Sequence, residues 1–159
     1  MMSAPFRVAI SDDVPALVRL INAAFVVERV AIEGDRVDHL GVAKYMRTGE
    51  FILLEESTAI GGCVYVEKRG DRAYLGLLSV EPSLQGSGFG RQLVAAAERH
   101  ARERGCIAMD LRVISARGEL LPFYEKLGYV ATHTSPMPTE APLKIPCHFI
   151  HLSKDLRQS

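Results

Sequence analysis

Apolar positions along the chain change period several times, and each change marks an element. Phe6 to Ile10 is a short apolar run that reads as a strand. Ser11 stands where a helix N-cap is expected, with two acids behind it. From there Val14, Leu17, Val18, Ile21, Ala24 and Phe25 fall on one helical face. Residues 27–36 mix charges and valines without a period and read as a loop. A shorter helix is predicted over 37–47, ended by Gly49. The period then drops to strand type in three runs, 51–56, 60–68 and 72–80, with Gly70-Asp71 at a hairpin turn, so the middle of the chain predicts an antiparallel meander.

Pro82 ends the third run. Phe89, Leu93, Val94, Ala97 and Ala101 form the next helical stripe, and Gly105 after a basic last turn is a stop signal. A strand over 106–114, a short helix ended by Gly128, a strand over 129–134, a loop over 134–146 with four prolines and a closing strand over 147–152 complete the pattern. The unit from 72 to 114 predicts a right-handed crossover with parallel strands. The whole is α/β: a mixed sheet with helices on both faces.

Composition narrows the classes. At 159 residues, 48% hydrophobic and 24% charged, the chain suits a single folded domain. Nineteen basic and nineteen acidic side chains cancel, so charge points to neither nucleic acid nor an anionic membrane as partner. No apolar run approaches the ~20 residues of a membrane span. The start of the chain lacks the basic and apolar regions of a signal peptide. Cys63, Cys106 and Cys147 are distant and odd in number, which reads as reduced thiols in a cytoplasmic protein.

The residues that point to chemistry begin at Gln85, in "QGSGFGRQL". Three glycines stand between a strand and a helix, where unpaired backbone N–H groups and the helix dipole favour an anion. Glycine content alone leaves a phosphate cradle and a plain sharp bend equally open. Arg91 stands where a dinucleotide fingerprint needs its third glycine, and no Lys-Ser/Thr pair completes a triphosphate loop.

The string Gln85-Gly86-Ser87-Gly88-Phe89-Gly90, preceded by "LLSVEPSL", resembles the acetyl-CoA-binding motif of the GNAT-type N-acetyltransferases. In that family a strand leads into V-x-P-x-x-[QR]-G-x-G-[hydrophobic]-G and then a helix. Val80, Pro82, Gln85, Gly86, Gly88, Phe89 and Gly90 match in register. "PFYEKLGY" (122–129) resembles the family's later tyrosine-bearing motif, and the order of elements matches over nearly the entire chain. The resemblance implies that residues 1–159 form one acetyl-CoA-binding N-acetyltransferase domain of GNAT-like fold, with about six to seven strands and about four helices.

It also implies roles. Backbone groups of Leu78, Ser79 and Val80 would pair with the pantetheine arm. The turn made by Gln85, Gly86, Ser87, Gly88, Phe89, Gly90 and Arg91 would hold the paired phosphates. Tyr124 would be the acid at the departing sulfur, or would only position it; a neutral phenol suits proton donation to a thiolate. Many members carry a glutamate before the turn where this chain has Gly76, and an asparagine where it has Arg117, so neither of those roles carries over.

For the acceptor amine, Glu28 and Glu33 lie in the segment that lines the acceptor site in the family, Arg29 and Arg36 could hold an acceptor carboxylate, and His148 lies on the last strand. The expected acceptor is a small-molecule primary amine. A cofactor-binding sensor and a peptide acetyltransferase are the alternatives. The five histidines show no metal-ligand spacing and no metal is expected. Cys147 and His148 are strand neighbours facing opposite ways, so Cys147 reads as an inert buried thiol. The C-terminal strand is the expected sheet edge for a homodimer.

Overall fold

The computed structural model describes residues 6–57 and 59–157. In chain order the elements are β1 (Phe6–Val8), α1 (Val14–Ala24), α2 (His39–Thr48), β2 (Glu50–Glu56), β3 (Ala59–Arg69), β4 (Arg72–Val80), α3 (Phe89–Glu103), β5 (Ala108–Ile114), α4 (Leu120–Lys126), β6 (Val130–Pro136) and β7 (His148–Asp155). Among the described residues these build one seven-stranded sheet of order β1-β2-β3-β4-β5-β7-β6. The predicted meander is present as β2, β3 and β4 in antiparallel register. β4 and β5 are parallel across α3.

Strand alternation sorts the core into two layers. Phe51, Leu53, Cys63 and Tyr65 point to one face, where Leu17, Leu20 and Ile21 of α1 and Val42 of α2 cover them. Ile52, Leu54, Val64 and Val66 point to the other, against Leu93, Val94, Ala97 and Ala101 of α3. The apolar stripes legible in α1 and α3 are therefore their buried faces. Burying one such leucine stabilises the fold by about 1.5–3 kcal/mol.

Several boundaries differ from the pattern, each for a physical reason. Ser11 does not cap α1. Residues 11–13 form a single 3₁₀ turn, and α1 starts at Val14. The Asp13 carboxylate stabilises this entry, accepting from the Ile10 N–H at 2.8 Å and from both Arg7 amino groups at 2.8 and 2.9 Å. Part of the expected loop is a 3₁₀ helix, Phe25–Val30, so Phe25 ends the α1 stripe instead of continuing it. α2 begins at His39 because Asp38 caps it, accepting from the Gly41 N–H at 2.7 Å. β7 runs to Asp155, three residues past the apolar pattern. There Ser153 Oγ bonds Asp110 and Lys154 bonds the buried Glu98, so partners on other elements hold polar positions in strand register.

The C-terminal strand is not an edge. β7 lies between β5 and β6, and the outer strand is β6. Pro136 is tolerated there at the strand's end. Cys63 and Cys106 are buried, whereas Cys147 is only half-buried, against the buried position expected for it.

Candidate functional site

The glycine stretch closes a turn that other residues cannot easily make. After a 3₁₀ turn at Pro82–Leu84, Gly86 has φ +85° and Gly88 has φ +87°. Both lie in the left-handed region, which costs a residue with a Cβ about 1–2 kcal/mol. Gln85 Nε2 donates to the Val80 carbonyl at 3.2 Å and the Ser87 hydroxyl donates to the Leu84 carbonyl, which fixes the turn from within. Gly88 is the N-cap of α3, a helix of fifteen residues, and no side chain caps it. The first N–H groups of α3 are thus left to whatever occupies the space before them.

That space is a cavity of about 920 Å³. Of the ten residues expected to hold a cofactor, all but Ser79 line it: Leu78 and Val80 from β4, and Gln85 through Arg91 from the turn. Ser79 is buried with its hydroxyl donating to the Leu77 carbonyl at 2.9 Å. Leu120, Phe123 and Lys126 of α4 complete the wall, and the Phe123 ring reaches toward Gly90.

β4 opens this cavity by leaving its neighbour. The β4–β5 ladder pairs Arg72–Tyr74 with Ala108–Asp110 and stops, while β4 continues to Val80. Opposite β3, register passes from Cys63↔Ser79 to Tyr65↔Gly76, so Leu77 and Leu78 face Val64 alone. This is a bulge, and Leu77 has φ +54°. Gly76 adjoins it. A Cβ at Gly76 would meet Tyr74 Cε2 at 3.0 Å, so the glycine leaves room for the Tyr74 ring.

A second cleft of about 440 Å³ lies beyond. The two spaces share Leu78, Arg117 and Leu120 as lining residues, so they meet there. Segments 28–36 and 137–142 form its outer walls, tied to each other by Glu33 N–H to the Pro142 carbonyl at 2.9 Å. Tyr124 lines this cleft and is 5% exposed, with its ring edge-on to Phe123 and Tyr129. Its hydroxyl has no hydrogen-bond partner among the described residues. Burial raises its pKa well above the usual phenol value, against the opposing charge of Arg117.

Glu28 lines the same cleft, buried at 9% exposure on the 3₁₀ helix. Its carboxylate accepts from Arg117 Nη1 at 3.2 Å, across 89 residues of chain. Burial pushes its pKa above the ordinary carboxylate value, and the Arg117 contact restrains that rise. Arg117 also binds Glu119 at 2.9 Å. Glu33 is exposed at the cleft's edge. His148 is exposed, lines neither space, and uses its backbone N–H to bond Ser115 Oγ. Sequence reasoning did not find the Glu28–Arg117 pair or the α4 wall. The only signal for the α4 wall was the helical spacing of Leu120 and Tyr124 on one face, and the pair had none.

Among the described residues no helix is long and apolar enough to cross a membrane, and no cluster of three metal-ligating side chains was found. Acetyltransferase YE1169 of Yersinia enterocolitica is 34% identical over 87 residues, 53% of this chain and 60% of that protein. Mycothiol acetyltransferase of Propionibacterium freudenreichii is 28% identical over 130 residues, 77% of this chain and 42% of that protein. The chain thus spans less than two thirds of either relative. The solved structure of yncA from Salmonella typhimurium with its cofactor acetyl-CoA superposes with a TM-score of 0.73 at 20% identity, covering 99% of this chain and 96% of that one. The family model for acetyltransferases of the GNAT family matches residues 15–129, and the chain belongs to that family.

Proposed function

We propose that the protein transfers an acetyl group from acetyl-CoA to the primary amine of a small molecule. The observation that carries this reading is the junction of the two spaces at Leu78, Arg117 and Leu120, with Tyr124 and Glu28 both lining the acceptor side. The donor cavity suits coenzyme A by its own features. Uncapped N–H groups at the start of α3 and two left-handed glycines suit paired phosphates. Arg91 adds a cation. The unpaired stretch of β4 suits an extended arm with amide groups.

Bound acetyl-CoA supplies a thioester whose C–S bond breaks as the acceptor nitrogen bonds the carbonyl carbon. The remaining tasks fall to side chains. Glu28 takes the proton that the amine must lose, filling the role left vacant by Gly76. Its raised pKa brings it nearer neutral pH than an ordinary carboxylate, which improves a general base. Arg117 orients that carboxylate and keeps it ionised. Tyr124, held neutral by burial, gives its proton to the sulfur. Proton transfers of this kind contribute about 10²–10⁴-fold each. Three free cysteines suit a reducing, cytoplasmic setting, and the exposed outer strand β6 is the edge on which a second copy would pair.

The test is an acetyl-transfer assay over a panel of small amines, with mass detection of the product and direct measurement of acetyl-CoA binding. Acetylated small amines support the reading. Donor binding with no transfer would make the domain a sensor. Transfer to peptides alone would move the acceptor to protein.

A further inference from the structure

The acceptor cleft carries more positive charge than its own carboxylates use. Four arginines line it: Arg29, Arg36, Arg112 and Arg117. Arg117 is held by Glu28 and Glu119, and Arg29 by Asp35. Arg36 and Arg112 have no carboxylate partner among the described residues. Each lies against an aromatic ring instead. The Arg36 guanidinium carbon is 5.6 Å from the Phe25 centroid, and that of Arg112 is 4.0 Å from the Phe149 centroid. A ring beneath a guanidinium restricts the plane and leaves its N–H edge free, which is how arginine presents two parallel donors to a carboxylate. The rings belong to the cleft wall themselves.

From this we propose that the acceptor is zwitterionic, an amine whose own carboxylate is bound by Arg36 and Arg112 while its ammonium group faces Glu28. Free amino acids are the class that fits, and their decarboxylated amines and amides are the classes rejected. The cleft offers both signs in the order such a molecule needs. Glu28 lines the inner cleft with Arg117, which also borders the donor space, whereas Arg36 and Arg112 are exposed. Glu33, exposed and without an ion-pair partner among the described residues, stands near Arg36 in sequence, so an acceptor with a second carboxylate is disfavoured. A peptide amine lacks the adjacent carboxylate and would leave both guanidinium groups unused.

This inference rests on the acetyl-transfer reading for the placement of the amine, so its test reads binding and not turnover. Isothermal titration of the full chain, saturated with coenzyme A, compares L-phenylalanine with phenethylamine, L-leucine with isoamylamine, and L-lysine with cadaverine. A charge-assisted, two-point contact predicts tighter binding of the amino acid by tenfold or more, on the order of what such bonds contribute. The ratio should collapse toward one in Arg36→Ala and Arg112→Ala, two exposed positions, with a melting curve of each variant to confirm folding. Equal affinity within every pair, no binding by any amino acid, or a preference unchanged in both variants would overturn it. Transfer to simple amines without a carboxylate preference would leave the enzymatic reading standing and remove only this one.

Discussion

Replacing Arg117 with alanine separates the proposed base from a merely structural carboxylate. The pair is close and poorly solvated: 3.2 Å between Arg117 Nη1 and Glu28 Oε2, with side chains 18% and 11% exposed. An opposite charge at such range lowers a carboxyl pKa by about 1–3 units. Glu28 already titrates above the ordinary value because burial outweighs that help. Without Arg117 its pKa rises further by that amount. If ionised Glu28 accepts the amine proton, the acid limb of kcat/KM moves up the pH axis equally. Below both limbs, activity falls about tenfold per unit of displacement and recovers at high pH. Arg117→Lys retains the charge and should bring the limb most of the way back. Arg117 also borders the donor space, so the KM for acetyl-CoA is measured in parallel. A donor-binding defect alone lowers activity at every pH and leaves the limb in place. An acid limb unmoved in Arg117→Ala would refute the assignment of Glu28.

Tyr124→Phe removes a hydroxyl that bonds nothing within the described residues, so stability should hold while kcat falls about 10²-fold or more; stopped assays with several amines and a melting curve check both. Gly88→Ala forces a Cβ into a left-handed position and should cost about 1–2 kcal/mol. For a chain of this size that is a fall in Tm of about 2–8 °C, with weaker acetyl-CoA binding by titration. The Arg7 contacts hold the Asp13 carboxyl below its usual range. Its stabilisation is therefore present above the unfolded pKa and lost as pH falls through the lower, folded value. After discounting for the exposed guanidinium, Asp13→Asn should cost about 1 kcal/mol at neutral pH. The difference from wild type should vanish in strong acid, read by urea unfolding. Glu28 has the opposite sign: its raised pKa favours folding below the unfolded value and loses that benefit as pH rises. The wild type should therefore gain stability relative to Glu28→Gln as pH falls through the raised, folded value toward the unfolded one.

The glycine turn before α3 was legible because its determinants are local. Gly86 and Gly88 are required by backbone conformation, and Val80, Pro82 and Gln85 fix the turn within a few residues of them. The sheet followed from period alone where strands pair with sequence neighbours, as in β2, β3 and β4. It was less legible where partners are distant. The end of β7 is polar, and it stays extended through its ladder with β5 and the contacts of Ser153 with Asp110 and Lys154 with Glu98. The Glu28–Arg117 pair in the second cleft was hidden for the same reason. Glu28 and Arg117 look like solvated charges in sequence, and only the fold brings them to 3.2 Å. The unpaired state of Arg36 and Arg112 is likewise a property of four separate segments. Gly76 was readable as the mark of a bulge or close approach, and both are present: the bulge begins at the next residue, and Tyr74 fills the space beside it.

If the proposed donor lies where β4 parts from β5, the protein's durability depends on the supply of that donor. Residues 75–80 run on without the β5 neighbour that pairs with Arg72–Tyr74, so the sheet is less cross-braced along that seam. A molecule that lies in the seam and binds only the folded chain adds RT ln(1 + [L]/Kd) to its stability, about 2.7 kcal/mol at a hundredfold excess over Kd. That is a sizeable share of the 5–15 kcal/mol typical of a domain. On the proposed reading, plentiful acyl donor would favour the folded chain and slow proteolysis, and scarce donor would leave the same strands to part more often. Turnover of the protein would then follow the metabolic state of the cell with no dedicated regulator.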